Sequence, residues 1–145
     1  MSRLKITLRV DFDSAHAIGP GKVALLEKMR DTGSLSQAAR ELEMSYRRAW
    51  QLLASLNQMF RAPLVLTSTG GSGGGGTTLT ELGEAVVAAY RQFEKETNAR
   101  AEKYFGHMLK TVSPRREGAR RAISRSLRSP TTAATRRAAS RQVRT

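Results

Sequence analysis

The sequence predicts a mainly α fold: three helices, a two-stranded hairpin around a glycine-rich loop, a fourth and longer helix, and a disordered tail. Three observations predict it. Apolar residues recur at helical spacing in four segments, each opened by a residue suited to a helix start: Pro20, Ser34, Ser45 and Thr80. Two short apolar runs flank the glycines of residues 70–76. Residues 111–145 carry ten arginines against one acid, Glu117, with no aromatic residue and few aliphatics. Such a segment buries too little to offset its ordering entropy.

In chain order, Leu4 to Phe12 alternates apolar and polar residues and predicts a strand with one apolar face. Gly19-Pro20-Gly21 breaks the chain, and Pro20 starts a helix to Asp31 with Val23, Leu25, Leu26 and Met29 inward. Ser34 and Gln37 have the form of a capping box, opening a short helix with Leu35, Ala38, Ala39 and Leu42 inward. Ser45 caps a third helix to about Phe60. Leu64 to Leu66 and Thr77 to Leu79 predict two strands, and Thr80 caps a long helix to about Tyr104. In that last helix Leu82, Val86, Ala89 and Phe93 form an apolar seam, which Val87 and Tyr90 widen. The seam exceeds what a small domain covers by itself, so this helix is expected to serve dimerisation, with the first helix and the N-terminal strand as further candidates for the interface.

Composition narrows the function. The chain has 145 residues, about one domain's worth, and divides by charge into a domain of 1–110 and a tail of 111–145. With no cysteine, disulfide scaffolds, thiolate metal sites and cysteine nucleophiles are excluded. Two distant histidines, His16 and His107, do not make a metal site, and no metal or cofactor is expected. No long apolar run predicts a membrane span or a signal peptide, so the chain is expected to be cytoplasmic, without a membrane partner. The net charge of +13 points to a polyanion, nucleic acid first.

Three helices, two strands around a loop and a further helix is the order of a winged helix-turn-helix. At about 100° per residue the third helix gathers Ala49, Leu53, Leu56 and Phe60 in one arc, flanked by Tyr46 and Leu52. Arg47, Gln51, Ser55 and Gln58 lie opposite, with Arg48 beside them. Arginine bridges guanine O6 and N7, and glutamine bridges adenine N6 and N7. The first turns of a recognition helix are the ones that enter the major groove. Arg47, Arg48 and Gln51 are therefore the candidate base readers. Ser34, Gln37, Ser45, Tyr46 and the wing residues Thr67, Gly73, Gly74 and Thr77 are the candidate phosphate contacts. Trp50, on the edge of the apolar arc, is expected to pack against neighbouring helices or the wing.

Two stretches, GSLSQAARELEMSYRRAW (33–50) and PLVLTSTGGSGGGGTTLTELGEAVVAAY (63–90), resemble the DNA-binding domain of the ModE family of molybdate-responsive bacterial regulators, itself related to the N-terminal module of LysR-type regulators. The joint occurrence of S-Y-x-x-A-W, the glycine wing and L-T-x-x-G carries the resemblance, which covers roughly residues 4–105. It implies a homodimer on a palindromic operator, with effector sensing in a separate C-terminal molbindin-type domain. Here an arginine-rich segment follows Tyr104 instead, so molybdate binding is not expected of this chain by itself. Glu43 stands in the inter-helical turn where such motifs often use glycine; a left-handed conformation there would cost about 1 kcal/mol.

Other chemistry finds no support in the residues. The glycine loop lacks the Gly-Lys-Ser/Thr of a nucleotide-binding loop. Glu41 and Glu43, or Glu94 and Glu96, are two apart and do not share a helix face, so no acid, base and nucleophile assemble and no enzyme is expected. The expectation is a homodimeric, sequence-specific regulator of transcription that binds double-stranded DNA, nucleoid-associated in a bacterial cytoplasm. Its rival is an architectural protein that coats DNA through the basic tail.

Overall fold

The computed structural model describes residues 4–68 and 76–114. The elements run β1 (Val10–Asp11), β2 (Ala17–Ile18), α1 (Pro20–Thr32), α2 (Leu35–Glu41), α3 (Tyr46–Met59), β3 (Val65–Ser68), β4 (Gly76–Leu79) and α4 (Glu81–Phe105), with a 3-10 turn over Gly106–Thr111. This is a mainly α winged helix-turn-helix with a long C-terminal helix. Residues 115–145, where the disordered tail is expected, and the loop tip with Gly73 and Gly74 lie outside the described residues.

Local signals set the helix boundaries. Pro20 occupies the first turn of α1, where a missing N–H costs nothing, and Gly33 closes the helix at φ 66 with its N–H on the Met29 carbonyl at 2.8 Å. Ser34 Oγ accepts from Gln37 N at 3.2 Å, and Ser45 Oγ accepts from Arg48 N at 3.1 Å. Only half of the capping box forms at Ser34: its N–H donates to Thr32 Oγ1 at 3.2 Å, leaving the exposed Gln37 side chain outside the cap. Between α2 and α3, Glu43 adopts φ 54, the left-handed conformation that favours glycine, while Met44 N reaches back to Ala39 O at 3.0 Å.

The core lies where α1, α2 and α3 converge. Val23, Leu25, Leu26 and Met29 of α1 meet Leu53 and Leu56 of α3 there, with Leu64 and Val65 closing it from the wing side. Burying such a side chain contributes roughly 1.5–3 kcal/mol. The wing is an antiparallel pair with Val65 opposite Leu79 and Ser68 opposite Gly76. It is tied to the helices at both ends. Thr77 N donates to Gly33 O at 2.9 Å, and Thr80 N donates to Leu64 O at 2.9 Å.

Two expectations need correction. The strand over Leu4 to Phe12 shrinks to Val10–Asp11, paired with a two-residue partner, Ala17–Ile18. The alternation itself holds, with Leu4, Ile6, Leu8 and Val10 turned inward between exposed Lys5, Thr7, Arg9 and Asp11. What this segment meets is a helix, not a strand: Tyr90 Oη donates to Leu8 O at 2.9 Å and Ile6 N donates to Asn98 Oδ1 at 3.3 Å. Phe12 breaks the pattern, half-exposed and edge-on to Phe60. In α4, Val87 and Tyr90 do not widen an outer seam; they are buried on their own domain, beside Gly83. Leu82 and Val86 pack partly on the core, which leaves Ala89 and Phe93 on the open flank. The Arg91 guanidinium fixes that orientation by bonding Glu27 on α1 and Glu94 on α4, the Glu27 hydrogen bonds holding it in its charged form.

Candidate nucleic-acid interface

The N-terminal half of α3 presents the candidate readers together. Ser45 holds the first turn, so successive residues fall at fixed angles around the helix: Arg47 and Gln51 at the centre of the exposed face, Arg48 on one flank, Tyr46 and Trp50 on the other. All five are exposed. Among the described residues neither the guanidinium groups of Arg47 and Arg48 nor the Gln51 amide has a hydrogen-bond or ion-pair partner. Elsewhere Arg9 pairs with Asp11, Arg30 with Asp31 and Glu84, and Arg91 with Glu27 and Glu94, while Arg40, Arg61 and Arg100 have no ion-pair partner among the described residues. No Asp or Glu occurs between Met44 and Thr80, so α3 and the strand after it offer Arg47 and Arg48 no acid of their own.

Each flank of α3 is anchored. On the Arg48 side, Lys22 Nζ donates to Ser55 Oγ at 3.0 Å and to Ala17 O at 2.7 Å. Burial, with the charges of Arg9 and Arg48, pushes the Lys22 ammonium below its ordinary pKa. A positive field thus continues from the helix onto the start of α1, while Ser55, expected on the open polar face, is half-buried and bonded to Lys22. On the Trp50 side, Asn57 acts as a clip for the wing. Its Oδ1 accepts from Leu64 N and Val65 N, both at 3.0 Å, and its Nδ2 donates to Val65 O at 3.0 Å.

The phosphate candidates divide. Ser34 and Ser45 spend an oxygen lone pair on their caps and keep an O–H to donate, while Gln37, Tyr46 and Thr67 are exposed. Thr77 is not available. It is 7% exposed and its Oγ1 donates to Met29 O at 3.4 Å, because this end of β4 packs on α1. Trp50, expected to pack against neighbouring helices or the wing, is 45% exposed and edge-on to Tyr46.

The profile described as bacterial regulatory helix-turn-helix protein, lysR family, matches residues 21–84, from the first turn of α1 to that of α4. The chain is 44% identical over 77 residues to the molybdenum-pterin-binding protein MopB of Rhodobacter capsulatus, 53% of this chain and 28% of the relative. It is 34% identical over 113 residues to the transcriptional regulator ModE of Haemophilus influenzae, 78% of this chain and 42% of that one. This chain carries a ModE-like, LysR-type helix-turn-helix domain. The DNA-binding transcriptional dual regulator ModE of Escherichia coli is 38% identical over 71 residues, 27% of its length. The match thus spans less than half of each of these relatives.

The ModE-like domain explains the motif L-T-x-x-G sterically. Thr80 caps α4 by accepting from Gly83 N at 3.0 Å, and its hydroxyl reaches Pro63 O at 2.8 Å. A Cβ at Gly83 would lie 2.2 Å from Leu64 O, so only glycine lets α4 approach the wing. Sequence reasoning missed Lys22, Asn57 and this close approach. A polar residue inside an amphipathic helix was the available signal for Asn57. For Lys22, whose partner Ser55 lies 33 residues away, there was none. Among the described residues no helix is long and apolar enough to cross a membrane.

Proposed function

We propose that this chain binds duplex DNA sequence-specifically as a homodimer and thereby regulates transcription, with α3 in the major groove and the wing along the backbone. The observation that carries the proposal is the group Arg47, Arg48 and Gln51, exposed and unpartnered among the described residues on the first turns of a capped helix without acids. These side chains have the donors that purine edges accept, and no protein group competes for them. The relatives named as ModE regulators support the transcriptional part. Ser34, Gln37, Ser45, Tyr46 and Thr67 are proposed to hold phosphates, with Gly73 and Gly74 at the wing tip. Ala89 and Phe93, the latter 49% exposed on the open flank of α4, support a second copy there. The arginines of residues 115–145 add attraction for any phosphate backbone. The action belongs at the nucleoid and includes no catalytic step. No oxyanion site is assigned to these 145 residues; a saturable heat on titration with molybdate would add one.

Selection of bound duplexes from a random pool, at physiological salt, tests the proposal. We expect one palindromic sequence to be enriched, and its affinity to exceed that of a scrambled duplex at least tenfold. Equal affinity for both would favour the architectural reading, which rests on the arginine-rich residues 115–145. Truncation after Lys110 should then flatten the salt dependence by about 0.9 log units for each phosphate that the arginines no longer neutralise, while sparing the specific-to-scrambled ratio.

A further inference from the structure

We propose that Trp50 contacts a thymine C5-methyl group in the major groove, with the Tyr46 ring holding the indole in place. This rests on the DNA-binding reading above and names part of what α3 recognises.

Trp50 is the chain's single tryptophan, and nearly half of it is open. Its neighbour one turn earlier, Tyr46, is 53% exposed. Core packing does not need either ring, since Ala49, Leu53 and Leu56 fill the inward arc of α3. Two open aromatic rings one turn apart, on a face otherwise lined with arginine and glutamine, suit a partner that offers apolar surface beside polar edges. The rings meet edge-to-face, with centroids 6.2 Å apart and planes at 85°, an arrangement that restrains the indole before anything binds.

Asn57 shows which way the Trp50 flank of α3 faces. Seven residues is close to two helical turns, so Asn57 lies on the same flank, and Asn57 clips that flank to Leu64 and Val65 beside the wing. Trp50 therefore sits between the Arg47 and Gln51 face and the wing. In the major groove the one apolar feature that base pairs display is the thymine methyl, next to the acceptor O4. The indole offers an apolar ring and one N–H, and that N–H has no hydrogen-bond partner among the described residues. A second copy of this face is a poor occupant, because Arg47 and Arg48 would meet their own like charges with no acid nearby.

The test uses the full chain and the best duplex from the selection. Each thymine is replaced in turn by deoxyuridine, which removes only the methyl group, and binding is followed by anisotropy. One thymine in each half-site should lose about fourfold in affinity, the worth of about 0.8 kcal/mol for one buried methyl(ene) group. Trp50→Ala should bind more weakly and treat thymine and uracil alike at that position. A native-like circular-dichroism spectrum shows that the variant is folded under the binding conditions, whatever stability the lost ring contact costs. A flat deoxyuridine scan with the native chain, which needs no variant, overturns the inference while leaving specific binding intact. A methyl preference that persists in Trp50→Ala also overturns it, by assigning the methyl to another residue. Failure of the native chain to prefer any duplex would bring down the DNA-binding reading and this inference with it.

Discussion

Replacing Gly83 with alanine adds one carbon at the junction of α4 and the wing, and the geometry there sets the cost. The new Cβ would stand 2.2 Å from Leu64 O, 3.2 Å from Leu64 C and 3.3 Å from Leu79 Cγ. Ordinary contact begins near 3.4 Å, so α4 must retreat by about 1 Å from a backbone carbonyl that cannot rotate away. The retreat strains the bonds from Thr80 N and Thr80 Oγ1 to Leu64 O, at 2.9 and 3.2 Å. Overpacking of this kind costs about 1–3 kcal/mol and a weakened buried hydrogen bond about 1 more. The better helix propensity of alanine returns up to about 1 kcal/mol. The expected net is a loss of roughly 1–4 kcal/mol, a fall of about 0.5–2 M in the urea midpoint for a domain of this size. Gly21→Ala is the control, because nothing lies within 4 Å of a Cβ there; it should be neutral or stabilising by up to about 1 kcal/mol. Both variants must be unfolded at one protein concentration, since dimerisation shifts apparent stability. If Gly83→Ala is as stable as Gly21→Ala, α4 does not lie against Leu64 and the steric account of L-T-x-x-G is wrong.

Three further outcomes follow from the same geometry. Glu43→Gly removes a side chain from a residue held at φ 54 and should raise stability by about 1 kcal/mol in urea unfolding; a loss would mean that the glutamate side chain contributes more than the strain costs. Asn57→Ala strips the acceptor from Leu64 N and Val65 N and should cost about 2–4 kcal/mol, with faster hydrogen exchange at those two amides. Asp13 accepts from His16 and from the amides of Ala15 and His16, which holds its carboxyl below the ordinary carboxylate pKa. Its contribution to the β1–β2 turn is therefore whole above about pH 4 and lost as pH falls through the depressed value, a loss that amide shifts of Ala15 and His16 should report and Asp13→Asn should abolish.

Signals that act within one turn of helix were legible in the sequence. Ser34, Ser45 and Thr80 each announce a helix start because the capping side chain bonds an amide two or three residues on. The inward faces of α1, α2 and α3 follow from periodicity alone. The exposed positions of Arg47, Arg48 and Gln51 follow from the same arithmetic. Pairings between distant parts of the chain were not legible. Periodicity placed Trp50 at the edge of an apolar arc but could not say how much of it would stay open, which is 45%. Thr77 looked like a wing residue facing outward, yet the fold lays that end of β4 on α1. The alternation of Leu4 to Val10 was real, but alternation describes one buried face and is silent on what buries it. Here it is α4 that meets the segment, through Tyr90 and Asn98.

The most direct test of the account is the affinity of the native chain and of Arg47→Ala for the selected duplex and for every single-base variant of it. If α3 reads bases, Arg47→Ala loses about 1–3 kcal/mol on the best duplex and loses its preference at one base pair in each half-site, while discrimination at the other positions stays as in the native chain. An equal loss on every duplex would make Arg47 a phosphate contact. No loss on any of them would contradict the placement of α3 in the groove.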